Sequence, residues 1–195
     1  MSGTPVRAAV VSELGGGFRV EDLVVDEPRG REVLVEVRAA GLCHSDLSFA
    51  ENDFGTVLPA VLGHELAGVV VALGPDATRV RVGDHVVGSL VRACGDCAPC
   101  TGGAPYRCPN RMSLLRAAGE PSRLHRPDGS PVTAALGTAA FASHALVHEN
   151  QLVAVPRELP FAQAAILGCG VVTGAGAVLN TASVQPGESV AVLGL

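Results

Sequence analysis

Lysine is absent from this chain: all fourteen basic residues are arginine. Set beside the abundance of Ala, Val and Gly, this reads as a base-composition habit of the genome without functional content. Positive charge is also sparse in arrangement. The net charge is −5 and no basic stripe runs along the sequence, so the electrostatic footprint of a nucleic-acid binder is missing and no such partner is expected. Long apolar runs are lacking too. Apolar stretches such as residues 86–91 and 190–193 fall far short of the ~20 residues that span a bilayer, so no membrane partner is expected. The opening MSGTPVRAAVVSEL has no basic region followed by a long apolar stretch, so it does not read as a secretory signal. A soluble, cytoplasmic protein with reduced thiols is the expectation. Repeats and low-complexity tracts are not evident. At 195 residues the chain can hold one full domain with its own core and the edge of a second.

What is present is cysteine, distributed unevenly. Cys94, Cys97, Cys100 and Cys108 crowd into fifteen residues, while Cys43 and Cys169 stand far apart. The crowded run, CGDCAPCTGGAPYRC, has two-residue gaps followed by a longer Gly- and Pro-rich loop. Cys-x-x-Cys spacing brings two sulfurs round one ion, and four thiolates close a tetrahedral structural zinc site that can hold a coreless lobe folded. A disulfide pair, a redox dithiol and an iron–sulfur cluster are the alternatives. The first two need a context that the sequence does not supply, and the cluster stays open because four cysteines also hold iron and sulfide.

The first ninety residues alternate short β-rich runs with Gly and Pro turns, at 7–11, 18–24, 33–39, 68–73 and 85–90. That spacing predicts a β-barrel or sandwich. Residues 112–134, polar with interspersed Pro and Gly, read as loop, and strands are expected again at 140–147 and 152–155. From Pro160 the chain turns Ala-rich with apolar residues at helical spacing, predicting one or two helices. After the turn Gln185-Pro186-Gly187-Glu188, SVAVLGL reads as a fully buried strand of the kind that opens a parallel sheet, with Gly194 placed as the first glycine of a G-x-G-x-x-G fingerprint.

Three further residues suggest a second metal: Cys43 in GLCHSD, His64 in LGHELAG and Cys169 in LGCGVVTG. Each lies near glycine, where the backbone can turn tightly. A Cys-His-Cys set is one of the combinations that leave a catalytic zinc an open position. Singly, each residue is better read as a buried small hydrophobe or a hydrogen-bonded histidine.

Together these segments resemble the zinc-containing medium-chain alcohol dehydrogenase family. The stretch GHELAGVVVALGPDA fits that family's zinc signature, with Gly68 and Gly74 at set intervals after His64, and the four-cysteine lobe and GCG motif follow in the family's order. The resemblance implies a mostly β chain with some α: a GroES-like β-barrel catalytic domain over residues 1–170, with the zinc lobe at 94–108. Residues 171–195 would begin a Rossmann nucleotide-binding domain, present only as its first helix and strand.

The resemblance also implies roles. Cys43, His64 and Cys169 match the catalytic zinc ligands, and Cys94, Cys97, Cys100 and Cys108 the structural ones, giving two zinc ions per chain. Glu65 matches a carboxylate beside the catalytic metal. Asp46 matches the residue that hydrogen-bonds the ligand histidine, as expected of an outer carboxylate. Ser45 matches the hydroxyl that passes the alcohol proton outward. His44 stands where some relatives hold the cofactor pyrophosphate with arginine, and Thr173 should lie against the nicotinamide of NAD(P), with NAD preferred. Phe54, Leu90, Ala135 and Leu136 match positions lining an apolar pocket for a primary or medium-chain alcohol, so the expected partner is a small-molecule alcohol or aldehyde. Ser48 departs from the pattern, since many members carry a histidine of the proton relay there. Cys169 sets the chain apart from polyol dehydrogenases, which place a glutamate at this position, and from quinone reductases, which lack the ligands. The expected activity of the full-length enzyme is oxidation of an alcohol to an aldehyde or ketone, in a homo-oligomer; the 195 residues alone are expected to be inactive. A non-catalytic zinc-binding fragment and a thiol-dependent formaldehyde dehydrogenase relative are the alternatives.

Overall fold

The protein is described here by a computed structural model covering residues 3–117 and 119–193. In chain order the described elements are β1 (Gly3–Val11), β2 (Arg19–Asp26), β3 (Glu32–Gly41), α1 (His44–Glu51), β4 (Ala60–Val61), β5 (Glu65–Leu73), β6 (His85–Gly88), α2 (Ala98–Thr101), β7 (Leu124–His125), β8 (Pro131–Ala134), β9 (His144–His148), β10 (Leu152–Ala154), α3 (Phe161–Ala165) and α4 (Gly170–Gly176). Strands β1-β2-β7-β8-β4 close a barrel, and β10-β6-β5-β3-β9 form a five-stranded sheet packed on it. The β1–β2 hairpin runs from Gly3↔Asp26 to Val10↔Arg19, and its turn places Gly15 and Gly17 at φ 72°, where a side chain would be strained.

Alternation along the strands divides the core. On β3, Val33 and Val35 enter the sheet cluster with Leu66, Val70, Val86 and Val147, while Leu34 enters the barrel cluster with Val10, Leu23, Val25 and Val61. Ala67 and Val87 point to the far side of the sheet, against Ala164 and Ala165 of α3. Each Val or Leu so buried contributes about 1.5–3 kcal/mol. The β3–β5 pairing shifts register between Leu34 and Val35 and again between Val37 and Ala39. Such irregularities bend a strand, and here the bent end of β3 leads directly into Cys43.

Charge is buried where the barrel meets the segment after the cysteine lobe. The Glu32 carboxylate, at the start of β3, accepts from Arg116 Nε (3.0 Å) and Nη2 (2.7 Å), Arg123 Nε (2.7 Å) and the Arg29 N–H (3.1 Å). A second anchor is the turn Glu149–Gln151. The Glu149 carboxylate accepts from the Thr78 and Arg79 N–H groups, both at 2.7 Å, and from Arg31 Nε at 2.6 Å. Asn150 Nδ2 donates to the Ala93 and Cys94 carbonyls at 2.9 and 2.8 Å, fastening the lobe to the sheet.

Two expectations are corrected. Residues 112–134 are not all loop: β7 and β8 pair antiparallel within them, Leu124↔Val132 and His125↔Pro131. These strands are too short for alternation to show, and Pro127 and Gly129 lie in the turn between them. The buried strand expected from Ser189 is absent at 189–193, which have no sheet partner and are exposed; Gly194 lies outside the described residues. A buried parallel strand exists only between neighbouring strands, and none accompanies it among the described residues. A smaller shift is that β9 starts at His144, because the Ala140 and Phe141 N–H groups bond instead to the Gly63 and Leu62 carbonyls. No single helix among the described residues is long and apolar enough to cross a membrane, and the stretches Phe161–Gly168 and Gly170–Thr181 are separated by a 54° bend at Cys169.

Candidate metal centres

The crowded cysteines converge. Sulfur–sulfur distances are 3.3 Å for Cys97–Cys100, 3.5 Å for Cys94–Cys108, 3.8 Å for Cys97–Cys108 and 4.0 Å for Cys94–Cys100. A zinc ion with four thiolates at about 2.3 Å in tetrahedral array separates its sulfurs by roughly 3.8 Å, so the donor set fits that ion. Disulfides need sulfurs about 2.05 Å apart, and all six cysteines are free. The lobe is built for this convergence. Gly95 (φ 93°) and Gly103 (φ 82°) take the left-handed turns, and Cys97 caps the single helical turn of α2. The Cys94 N–H and Asn110 Nδ2 donate to sulfurs at 3.4 and 3.7 Å; Asn110 is an outer partner that spacing alone does not reveal. The four thiols conflict electrostatically. The Cys100 backbone draws Cys97 down, but burial and its three sulfur neighbours outweigh this and push it up to about 12, while Cys108, held by the Cys94 N–H, falls to about 7. A dication removes that conflict by favouring all four thiolates together.

The dispersed residues also meet: one donor atom each from Cys43, His64, Glu65 and Cys169 lies within 4.8 Å of the others. They come from four places. Cys43 caps the start of α1, His64 precedes β5, Glu65 opens β5, and Cys169 sits at the bend before α4. His64 is 1% exposed; its Nδ1 lies 3.1 Å from Asp46 Oδ1, and its Nε2 is buried without a hydrogen-bond partner among the described residues. An orphaned buried nitrogen aimed at two thiols is what an imidazole ligand looks like, since Asp46 fixes the tautomer that presents the Nε2 lone pair. The Asp46 hydrogen bond raises the His64 pKa against burial. Burial would raise the Cys43 thiol, but the neighbouring Ser45 and the nearby His64 imidazole outweigh it and bring it below its ordinary value. Burial, then the neighbouring Cys43 and Glu65, push Cys169 up to about 11. Again a cation would settle the repulsion, and zinc fits the Cys-His-Cys set.

Glycine acts here mostly through close approach. Gly63 has φ 89° and does turn the chain before His64. Gly41 and Gly168 do not: a Cβ on Gly41 would collide with Glu65 Oε2, and one on Gly168 with the Gly88 carbonyl. Glu65 Oε1 accepts the Gly170 N–H at 3.0 Å, tying the carboxylate to the Cys169 segment.

The remaining expected residues are placed unevenly. Ser45 Oγ lies 3.6 Å from Cys43 Sγ. Thr173 is exposed on α4, with its hydroxyl near the Cys169 sulfur. His44 is exposed at the edge of a cavity of about 1140 Å³ that includes Phe18, Val20, Leu42, Cys43 and Phe141 in its lining. None of Phe54, Leu90, Ala135 and Leu136 lines that cavity. Phe54 is 61% exposed and packs on Phe49, and Ala135 is buried with Val11, Ala50 and Leu62.

Residues 29–157 match the family described as the alcohol dehydrogenase GroES-like domain. The S-(hydroxymethyl)glutathione dehydrogenase of Paracoccus denitrificans is 36% identical over 193 residues, covering 97% of this chain and 52% of that protein. The NDMA-dependent alcohol dehydrogenase of Amycolatopsis methanolica is 38% identical over 192 residues, covering 97% and 51%. Among solved structures, an alcohol dehydrogenase zinc-binding domain protein from Burkholderia ambifaria superposes with a TM-score of 0.88 at 42% identity, covering 96% of this chain and 52% of its own. Benzyl alcohol dehydrogenase from Acinetobacter calcoaceticus gives 0.83 at 36% identity, covering 95% and 51%. The chain thus spans about half the length of the curated relatives it matches. With its barrel, its two clusters of metal donors and a match over most of its length, the chain belongs to the zinc-containing medium-chain alcohol dehydrogenase family.

Proposed function

We propose that this chain carries the catalytic domain of an alcohol dehydrogenase that uses zinc and NAD(P), NAD by preference. Residues 1–170 form the barrel domain, and 171–195 begin the nucleotide-binding one. The observation that carries the reading is the meeting of Cys43, Cys169 and the unpartnered Nε2 of His64. Packing alone gives no reason to bury an imidazole nitrogen without a partner.

Cys43, His64 and Cys169 would hold the catalytic ion, and Cys94, Cys97, Cys100 and Cys108 the structural one. Bound at the first site, zinc supplies Lewis acidity toward a carbinol or carbonyl oxygen. The chain's own residues do the rest. Asp46 accepts the Nδ1 proton of His64 and keeps Nε2 free as a donor atom. Ser45, beside Cys43, is placed to take the alcohol proton, and a bound nicotinamide would supply the hydride chemistry. From Ser45 the proton would leave through water, the cofactor ribose or His44, since no histidine stands at position 48. Glu65 stays tied to Gly170 and sets the local negative charge. Thr173, with its hydroxyl near the Cys169 sulfur, would lie against the nicotinamide.

The test is alcohol-dependent formation of reduced nicotinamide by the full-length protein, its loss on chelation and its return with zinc. Activity that survives Cys43→Ser and His64→Ala would defeat the reading. The 195 residues alone are expected to show none. A second reading, oxidation of a thiol adduct of formaldehyde, is favoured by the relative from Paracoccus denitrificans. Formaldehyde oxidation that depends on added thiol separates the two.

A further inference from the structure

The turn at residues 135–139 is one that its side chains resist. Leu136 (φ 55°) and Ala139 (φ 49°) take the left-handed region without being glycine, on either side of Gly137 (φ 75°). Such residues persist where their surroundings over-determine them. Two hydrogen bonds do so. Gln151 Nε2 donates to the Leu136 carbonyl at 3.3 Å, and the fully buried Thr138 donates through its hydroxyl to the Gly63 carbonyl at 2.9 Å. The hydroxyl also reaches the Ala135 carbonyl within its own turn, at the longer distance of 3.3 Å; the shorter bond reaches across to another segment.

That carbonyl belongs to the peptide just before His64. The same residue is gripped from its other end, since the Gly63 N–H donates at 3.0 Å to Asp46 Oδ1, the oxygen that also faces the His64 ring. The Ala140 N–H shares the Gly63 carbonyl at 2.9 Å. A Cβ on Gly63 would lie 2.6 Å from the Phe141 ring, so the peptide has little room to shift. Asp46 thus sets the ring, and the Gly63 carbonyl sets the backbone that bears it.

We propose that Thr138 is a positioning residue for His64: the strained turn brings its hydroxyl to the Gly63 carbonyl and fixes the imidazole against Cys43 and Cys169. The inference rests on the zinc reading of those three ligands. Partners of this outer kind change metal affinity by about 10–100-fold.

The experiment titrates the metal-free chain with cobalt(II), whose absorption distinguishes a Cys-His-Cys site from a four-cysteine site. Thr138→Val should weaken the former about tenfold and leave the latter unchanged, and Thr138→Ser should restore it. A Thr138→Val protein with both sites unchanged, or both weakened alike, overturns the proposal. A parent chain that fills only the four-cysteine site defeats the zinc reading itself. Should Thr138→Val fail to fold, hydrogen exchange on the parent decides: metal at the His64 site should slow the Ala140 amide, and an unchanged rate overturns the coupling.

Discussion

Replacing Glu32 by glutamine removes one charge and one acceptor oxygen from a site that uses both. The carboxylate takes four hydrogen bonds, two on each oxygen, from Arg116, Arg123 and the Arg29 N–H. Glutamine offers one acceptor oxygen and turns an amide N–H₂ toward a guanidinium. Arg123, 6% exposed, would lose its paired anion and keep at most a neutral oxygen beside its bond to the Leu114 carbonyl. Breaking a buried ion pair from one side costs about 3–5 kcal/mol, because the stranded charge stays desolvated. Urea unfolding at pH 7 with saturating zinc should therefore show Glu32→Gln less stable by about 3 kcal/mol with an unchanged m-value, and a midpoint temperature lower by about 6–12 °C. Acid adds a second reading. Burial alone would raise the Glu32 and Asp26 carboxyls, but the arginines outweigh it and hold both below their ordinary values. Their stabilisation is therefore complete above the ordinary carboxylate range and disappears as pH falls through the lowered values. The gap between parent and variant must shrink in that window. A loss under about 1 kcal/mol at pH 7, or a gap that widens in acid, would refute the reasoning.

Other predictions follow from single contacts. Burial, with Arg31 and Arg123 nearby, lowers His148 to about 4 from 6.5, so the unfolded chain takes up its proton first as pH drops. Stability should fall by up to about 3 kcal/mol between pH 6.5 and 4, less in His148→Gln, with an NMR titration midpoint for His148 near 4. Asp46→Asn should weaken zinc at the His64 site by about 10–100-fold in chelator competition while sparing the lobe. Gly168→Ala places a Cβ against the Gly88 carbonyl and must displace Cys169; that variant should lose the same zinc and keep the other. Asn150→Leu leaves the Ala93 and Cys94 carbonyls unpaired and should speed zinc release from the four-cysteine lobe alone.

Local patterns made much of this readable from sequence. The lobe announced itself through Cys-x-x-Cys spacing, and β1, β2, β3, β5 and β6 through alternation between glycine-marked turns. Cys43, His64 and Cys169 needed the order of their motifs, because nothing in one cysteine or histidine predicts that a bent β3, a tight Gly63 turn and a broken helix will meet. What stayed hidden is long-range. Arg116 and Arg123 reach Glu32 across 84 and 91 residues, and either could as well have been a solvated surface charge. The β7–β8 hairpin was hidden by strands of two and four residues, too short for a period to register. Helix α1 was missed because its Ser, Asp and His residues are weak helix formers. The strand expected at Ser189 shows the reverse error, since its apolar run is an invitation to pair that needs neighbours to be accepted.

Central to the proposed function is that Cys43, His64 and Cys169 build one zinc site and Cys94, Cys97, Cys100 and Cys108 another. Metal analysis of the purified chain, paired with site variants, tests it most directly. The parent should hold two zinc ions, Cys94→Ser/Cys97→Ser should lose one, and Cys43→Ser/His64→Ala should lose the other. A parent with a single zinc, or a Cys43→Ser/His64→Ala protein that still holds two, would contradict the account.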